Sequence, residues 1–311
     1  MYLYLLSKAN LKLSIAEVMA LSKNKEFEVI ENGLLLNELV DYTKLAYTKK
    51  VFRVLFVSNE KKLLEDMKKF NFNDFYNEDF KLELVNSKNH DLKTLADIIW
   101  GKLENPKVNL KEPKTFFEIL FFKKTFCCLK LWENNDKFEE RKAHLRPYNH
   151  PTSLDPRLAR CLVNLVDSKE VMDPFCGSGG LLIEAALIGC KITGYDIDQI
   201  MLKRCDQNLK HYKIKNFTLE KRDALKLNKK TESIVTDLPY GKNSKVNDLE
   251  QTFVCFLKNS YGFTNKLVIV FPDFVESKHI IKKSGWKIKL ELKYYIHKSL
   301  TKEIFLLFKD T

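Results

Sequence analysis

Apolar and polar positions divide the chain near residue 150. Before that point short apolar runs at strand period alternate with single helical stretches. Leu3 to Ala9 predicts a strand, Leu13 to Leu21 a helix, Phe27 to Leu36 a hairpin turning near Gly33, and Val51 to Val57 a further strand. Ser58 then caps a helix over 60–70. An aromatic, Asn/Asp-rich connection at 72–79 leads to a second small unit. Its expected elements are a strand at Phe80 to Val85, an amphipathic helix at Asp91 to Leu103 and a short strand at 107–113 ended by Pro113. Paired strands at Thr115 to Phe122 and Thr125 to Trp132 complete it. From Glu133 to Tyr148 the apolar period is lost under charge, which reads as a linker.

After residue 150 the rhythm changes. Asp155 as N-cap and Pro156 at the first helical position open a helix. Strands are then expected at 169–173, 191–196, 217–222, 232–237 and 266–271, separated by helices at 179–189, 198–211, 246–258 and 275–284. Such alternation predicts an α/β fold with a doubly wound, mostly parallel sheet. The close of the chain, Trp286 to His297 and Glu303 to Phe308, predicts an antiparallel terminal hairpin. The expected division is therefore 1–70, 71–135, a linker at 136–150, and 151–311.

Apolar residues make up 45% of the 311 and charged residues 30%, a globular balance. No apolar run approaches the ~18 residues of a membrane span, and Met1-Tyr-Leu-Tyr-Leu-Leu6 is short for a signal segment, so a cytoplasmic protein is expected. The formal charge is +12, unevenly spread. Residues 1–100 carry 15 basic and 15 acidic side chains, 101–150 carry 11 and 7, 151–200 carry 4 and 7, and 201–311 carry 23 and 12. An acidic segment within a basic chain suits a polyanion that delivers one base to a pocket holding a cationic cofactor. A lysine-rich surface with no such role gives the same totals. Seven cysteines form no C-x-x-C pair and no zinc spacing, so buried thiols and no metal are expected.

Two motifs alter this picture. Asp173-Pro174-Phe175-Cys176-Gly177-Ser178-Gly179-Gly180 carries a strand into a helix through a turn without Cβ obstruction, where a ligand can approach backbone N–H groups. It lacks the third glycine of a dinucleotide fingerprint and the G-K-[ST] of a P-loop. Asp196, at the end of the next strand, is placed to accept ribose hydroxyls, and Asp223 to meet an adenine amine. Asp237-Leu238-Pro239-Tyr240 puts a carboxylate, a carbonyl and an aromatic ring at the end of the fourth strand, facing the same crevice. A base amine is a weak nucleophile because its lone pair is delocalised. A carboxylate and a carbonyl that each accept an N–H turn that lone pair towards a methyl donor, while Tyr240 stacks on a base taken out of its helix. Read alone, each motif is also an ordinary tight turn. The phenylalanines at 116, 117, 121, 122 and 126 read as core, with Lys111, Lys114, Lys123 and Lys124 as phosphate candidates.

The chain resembles the THUMP-containing tRNA guanine-N2 methyltransferases of the archaeal guanosine-10 type. The resemblance rests on Val108-x-Leu110-x-x-Pro113, on Arg146-Pro-Tyr-Asn-His-Pro-Thr-Ser-Leu-Asp-Pro156 with Arg157 to Arg160, on 173–180, on Thr236 to Gly241 and on His297-Lys-Ser-Leu-Thr301. It implies a Rossmann-like class I methyltransferase domain at 151–311 behind ferredoxin-like (1–70) and THUMP (71–135) domains that grip tRNA. S-adenosylmethionine is the implied donor and the N2 amine of a guanosine, guanosine 10, the acceptor. By motif match, Thr152, Ser153, Asp173, Pro174, Phe175, Cys176, Gly177, Ser178, Gly179, Asp196, Ile197, Asp223, Ala224 and Asp237 are implied cofactor contacts. Asp237, Leu238, Pro239 and Tyr240 form the implied catalytic segment. Leu238 stands where the family has proline. Some members use a small zinc-binding activator subunit. The motifs leave open another tRNA guanosine such as guanosine 6, rRNA, adenine in DNA, or a non-catalytic tRNA-binding subunit with a relict cofactor fold.

Overall fold

One seven-stranded sheet gathers every strand of the first 135 residues. The computed structural model describes residues 1–88, 90–149, 153–239, 246–298 and 300–309. The chain falls into two units, the first made of Met1–Leu11, Ser22–Thr43 and Thr48–Asn135, the second of Lys12–Leu21, Lys44–Tyr47 and the chain from Asp136 onward.

In the first unit, β1 (Tyr2–Leu6) precedes helix α1 (Leu11–Leu21), which from Lys12 on belongs to the second unit. Strands β2 (Glu28–Ile30), β3 (Gly33–Leu36) and β4 (Thr48–Ser58) follow, then α2 (Leu63–Lys69), β5 (Phe80–Val85), α3 (Leu92–Trp100), β6 (Thr115–Phe121) and β7 (Thr125–Glu133). The sheet order is β2-β3-β1-β4-β7-β6-β5, with β5 and β6 parallel and the other neighbours antiparallel. The expected boundary at residue 70 falls inside this body. Leu63 and Met67 of α2 share a buried cluster with Phe80, Leu95, Ile99 and Phe117. The eleven-residue β4 spans the joint, pairing with β1 on one side and β7 on the other. The strand expected at 107–113 is a single bridge between Val108 and Phe80. Pro113 and the Asn109 side chain, which accepts from the Lys111 and Glu112 N–H groups, curl the rest into a turn.

In the second unit α4 (Pro156–Val166) leads to β8 (Glu170–Asp173), α5 (Gly180–Leu187), β9 (Lys191–Asp196), α6 (Gln199–His211) and β10 (Phe217–Lys221). Then come β11 (Ser233–Asp237), α7 (Val246–Ser260), β12 (Lys266–Pro272), α8 (Ser277–Ser284), β13 (Lys287–His297) and β14 (Leu300–Phe308). The order β10-β9-β8-β11-β12-β14-β13 is parallel through β12, and β14 enters antiparallel between β12 and β13. The α/β pattern read from the sequence is thus seen element by element. Asp155 caps α4 by accepting from the Arg157 N–H at 3.0 Å, and Pro156 occupies its first turn.

Two features of this unit depart from the expected division. The stretch expected as a linker holds two short 3₁₀ turns with Phe138, Arg141 and Arg146 buried. Its charge loss of periodicity has a local cause. Arg141 and Arg160 both donate to Glu184, itself fully buried on α5, at 2.7 and 3.0 Å, and both also donate to Asp136. Their guanidinium groups lie 4.8 and 5.2 Å from the Phe138 ring centre. Secondly, Glu17 of α1 is buried and accepts from the Ala46 and Tyr47 N–H groups, each at 2.8 Å, and from Asn164 Nδ2 of α4 at 2.7 Å. Burial pushes its carboxyl up against those hydrogen bonds. Residues 12–21 and 44–47 therefore complete the unit that begins again at Asp136.

Removing Glu184 leaves two buried guanidinium groups short of a carboxylate, so Glu184→Ala is expected to cost about 3–5 kcal/mol in urea unfolding. Lys191→Ala breaks the pair with Glu170, in which the lysine side chain is 74% exposed, and is expected to cost less than about 1 kcal/mol. Equal losses would show that the Arg141–Arg160–Glu184 group is solvated rather than buried.

Candidate functional site

Strand order reverses between β8 and β11, so the chain leaves these neighbours in diverging directions and a crevice opens beyond their carboxyl ends. A cavity of about 630 Å³ lies there, lined by Asp173, Asp196, Asp223 and Asp237 among others. The glycine turn forms one wall. The Cys176 N–H donates to the Tyr195 carbonyl at 2.9 Å, tying the turn to β9. Gly177 has φ +50° and Gly179 φ +89°, both in the region that favours glycine. A Cβ on Gly179 would in addition lie 2.7 Å from Cys205 Sγ, so this glycine also permits close packing of the turn on α6.

The acids are held by backbone donors. Asp196 accepts from the Gly177 N–H through Oδ2 and from the Asp198 N–H through Oδ1, both at 2.9 Å. That joins the end of β9 to the glycine turn. Asp223 accepts from the Leu225 N–H at 2.9 Å. Asp173 accepts from Thr236 Oγ1 at 2.7 Å and from the Phe175 N–H at 3.1 Å. Burial nevertheless pushes the Asp173 carboxyl up to about 7, and the negative charges of Asp196 and Asp237 add to the effect against those hydrogen bonds.

Asp237 ends β11. Its Oδ2 accepts from Lys302 Nζ, while Oδ1 is buried without a hydrogen-bond partner among the described residues. Burial raises the pKa of this carboxyl, and the lysine opposes the rise. The next residue accounts for the departure from proline. The Leu238 side chain is buried in a cluster with Met172, Ile234 and Phe253, and its N–H donates to the Val270 carbonyl at 3.3 Å. A proline would lose that bond.

Of the residues expected at the site, Ser153, Asp173, Pro174, Phe175, Cys176, Gly177, Ser178, Asp196, Ile197, Asp223, Ala224, Asp237, Leu238 and Pro239 line this one cavity. Gly179 does not; it packs against α6 while Gly180 takes the lining position. Thr152 and Tyr240 lie outside the described residues. Lys302 was missed. The signal available was its position, a lone cation at the start of the apolar run Ile304 to Phe308, just after His297 to Thr301. A strand that enters antiparallel begins at the rim where its parallel neighbours end. Among the described residues no helix is long and apolar enough to cross a membrane, and no group of three or more His, Cys, Asp or Glu side chains could hold a metal.

Comparison with known proteins agrees with this geometry. Residues 143–302 match the family model UPF0020, described as an RMKL-like methyltransferase domain. A tRNA (guanine(10)-N2)-dimethyltransferase of Pyrococcus abyssi is 33% identical over 229 residues, 70% of each chain. One from Methanothermobacter thermautotrophicus is 28% identical over 327 aligned positions, covering 96% of this chain and 97% of its own. The crystal structure of TrmN from Thermus thermophilus shares the fold at a TM-score of 0.51 with 17% identity, over 99% of both chains. The chain therefore belongs to the family of the archaeal tRNA (guanine(10)-N2)-dimethyltransferases and carries an RMKL-like methyltransferase domain.

Proposed function

We propose that this protein transfers methyl groups from S-adenosylmethionine to the exocyclic N2 amine of guanosine 10 in tRNA. The observation that carries the reading is Asp237 Oδ1, a buried acceptor with no partner among the described residues, on the cavity that the glycine turn also lines. The donor set of that cavity fits the cofactor. Its volume lies within the range of roughly 300–1,000 Å³ usual for small-molecule sites. Asp196 suits the ribose hydroxyls and Asp223 the adenine amine. The acidic lining, with Asp173 half-ionised near neutral pH, suits a sulfonium and an ammonium group.

When bound, S-adenosylmethionine supplies a methyl carbon whose bond to sulfur breaks, the electron pair leaving on sulfur as the amine lone pair forms the N–C bond. Asp237 Oδ1 accepts one N–H of the amine, which holds the nitrogen and directs its lone pair away from the carboxylate. As positive charge builds on that nitrogen, the anion stabilises it and receives its proton, which then passes to water. The Leu238 carbonyl is proposed to accept the second N–H, and the Tyr240 ring to stack on the extruded guanine. The first unit is proposed to comprise the ferredoxin-like and THUMP domains and to grip tRNA. A small zinc-binding activator and a cytoplasmic setting belong to the same reading and rest on the family resemblance.

The direct test is methylation of tRNA transcripts, followed by nuclease digestion and mass spectrometry. N2-methyl- and N2,N2-dimethylguanosine at position 10, lost when that base is changed to adenosine, are the expected result. Product mapped to another base, or no cofactor binding in calorimetry, would remove the proposal. Asp237→Ala is expected to lower turnover by about 10²–10⁴-fold while S-adenosylmethionine binding changes only a few-fold. Normal turnover in that variant would exclude the assigned role.

Asp173 adds a pH dependence. The folded protein holds this proton up to about pH 7, whereas an ordinary aspartate releases it near 3.8. The residue therefore favours folding at acid pH, and that contribution is lost as pH rises through about 7. A cationic ligand reverses the preference. Without ligand, the melting temperature is expected to fall between about pH 4 and 7 more steeply in the wild type than in Asp173→Asn, and the two slopes should converge above about pH 7. Calorimetry in buffers of different ionisation enthalpy should show proton release on S-adenosylmethionine binding near pH 7. Identical slopes in both proteins below about pH 7, or proton uptake, would contradict this assignment.

A further inference from the structure

Lys302 has no part in the reaction as derived above, yet it is placed where it controls the group that does. It is 4% exposed at the rim end of β14, opposite Pro272 of β12. On the other edge of β12, Val270 lies opposite Asp237. The lysine side chain thus reaches across the end of one strand to bond Asp237 Oδ2. This leaves the two carboxylate oxygens unequal: Oδ2 is bound to an ammonium, and Oδ1 is buried without a partner among the described residues.

A substrate amine needs an acceptor. A buried carboxyl tends to take up a proton, and a protonated carboxyl presents an O–H donor that would meet the N–H groups of the amine like to like. Free rotation about the Cβ–Cγ bond would also leave either oxygen facing the cavity. One ion pair answers both problems, because the ammonium favours the anion and fixes the carboxylate plane through one oxygen. We propose, building on the methyl-transfer reading above, that Lys302 is a positioning residue that keeps Asp237 an anion and reserves Oδ1 for the acceptor amine. Among the described residues, the titratable groups that bear on Asp237 are Lys302, from β14, and Asp173, from β8, whose carboxyl the Asp237 charge raises.

The test compares Lys302→Met and Lys302→Arg with the wild type, using single-turnover methylation of tRNA across a pH series. Lys302→Met is expected to lose about 10²-fold near neutral pH. Its acid limb should move up by about one pH unit or more, so that part of the loss is recovered at alkaline pH. S-adenosylmethionine affinity should stay within a few-fold. Lys302→Arg should keep the wild-type limb and lose less than about tenfold. A Lys302→Met protein with an unshifted limb, or an arginine variant as impaired as the methionine one, overturns the proposal. Asp237→Asn/Lys302→Met guards against a folding defect, because an amide needs no counter-charge. It should be no worse than Asp237→Asn alone, and a further loss would show that Lys302 acts elsewhere. The Asp237 carboxyl stretch, isolated by infrared difference against Asp237→Asn in protein without tRNA, supplies a readout independent of substrate. Protonation at higher pH in Lys302→Met supports the pairing even if guanosine proves to be the wrong acceptor, and an unchanged titration sinks it even if guanosine is right.

Discussion

Adjacent strands whose following turns must diverge leave a gap that neither turn can fill, and in this protein that gap lies between β8 and β11. Right-handed crossovers lay one set of helices on one face as the chain steps from β8 to β9 and β10, and the other set on the opposite face once it returns to β11. Asp173 and Asp237 end the two strands that border the gap. Sheet topology, set by hydrophobic packing far from the crevice, thereby decides that two carboxylates share it. Thr236, one residue before Asp237, donates to Asp173 and links the two strand ends directly.

Such an arrangement is unstable in charge before it is useful in chemistry. Asp173, Asp196, Asp223 and Asp237 converge on one cavity, and like charges in a low-dielectric space favour protonation of the most buried members. The chain answers these acids in three ways. Asp196 and Asp223 remain partly exposed and take backbone donors. Burial pushes the Asp173 carboxyl up to about 7, and Asp237 receives an ammonium. Acids of one type that line one cavity thus differ in their partners and burial through surroundings alone. The pocket keeps affinity for a cation in one part and an acceptor for an amine in another.

Much of this was legible from residue order. Strand–helix alternation after residue 150, the Asp155–Pro156 cap and the convergence of 173–180 with 237–239 follow from local periodicity and from the rule that places ligands at the carboxyl ends of parallel strands. What escaped depends on partners distant in sequence. The charges of 136–146 resemble solvated linker residues until Glu184 is brought beside Arg141 and Arg160. The boundary expected at residue 70 lies within one compact unit, because α2 packs on a sheet three of whose seven strands come later. Lys302 escaped because a lysine at a strand end is ordinary, and only the antiparallel insertion of β14 turns it inward. Leu238 seemed a mere substitution for proline, whereas its N–H and side chain are both used.

The Glu17–Asn164 bond joins residues 147 positions apart within one structural unit. During synthesis, residues 12–21 leave the ribosome long before α4, the surface that receives them, has been translated. A buried carboxylate and an apolar helix face must therefore wait in a partly assembled chain, guarded only by their immediate neighbours. Closing this long loop carries an entropy cost that grows only slowly with its length, and the bond can form only once both ends are present. Residues 12–21 thus act as a clasp on the second unit, and a fragment beginning at residue 151 would leave the receiving face of α4 bare.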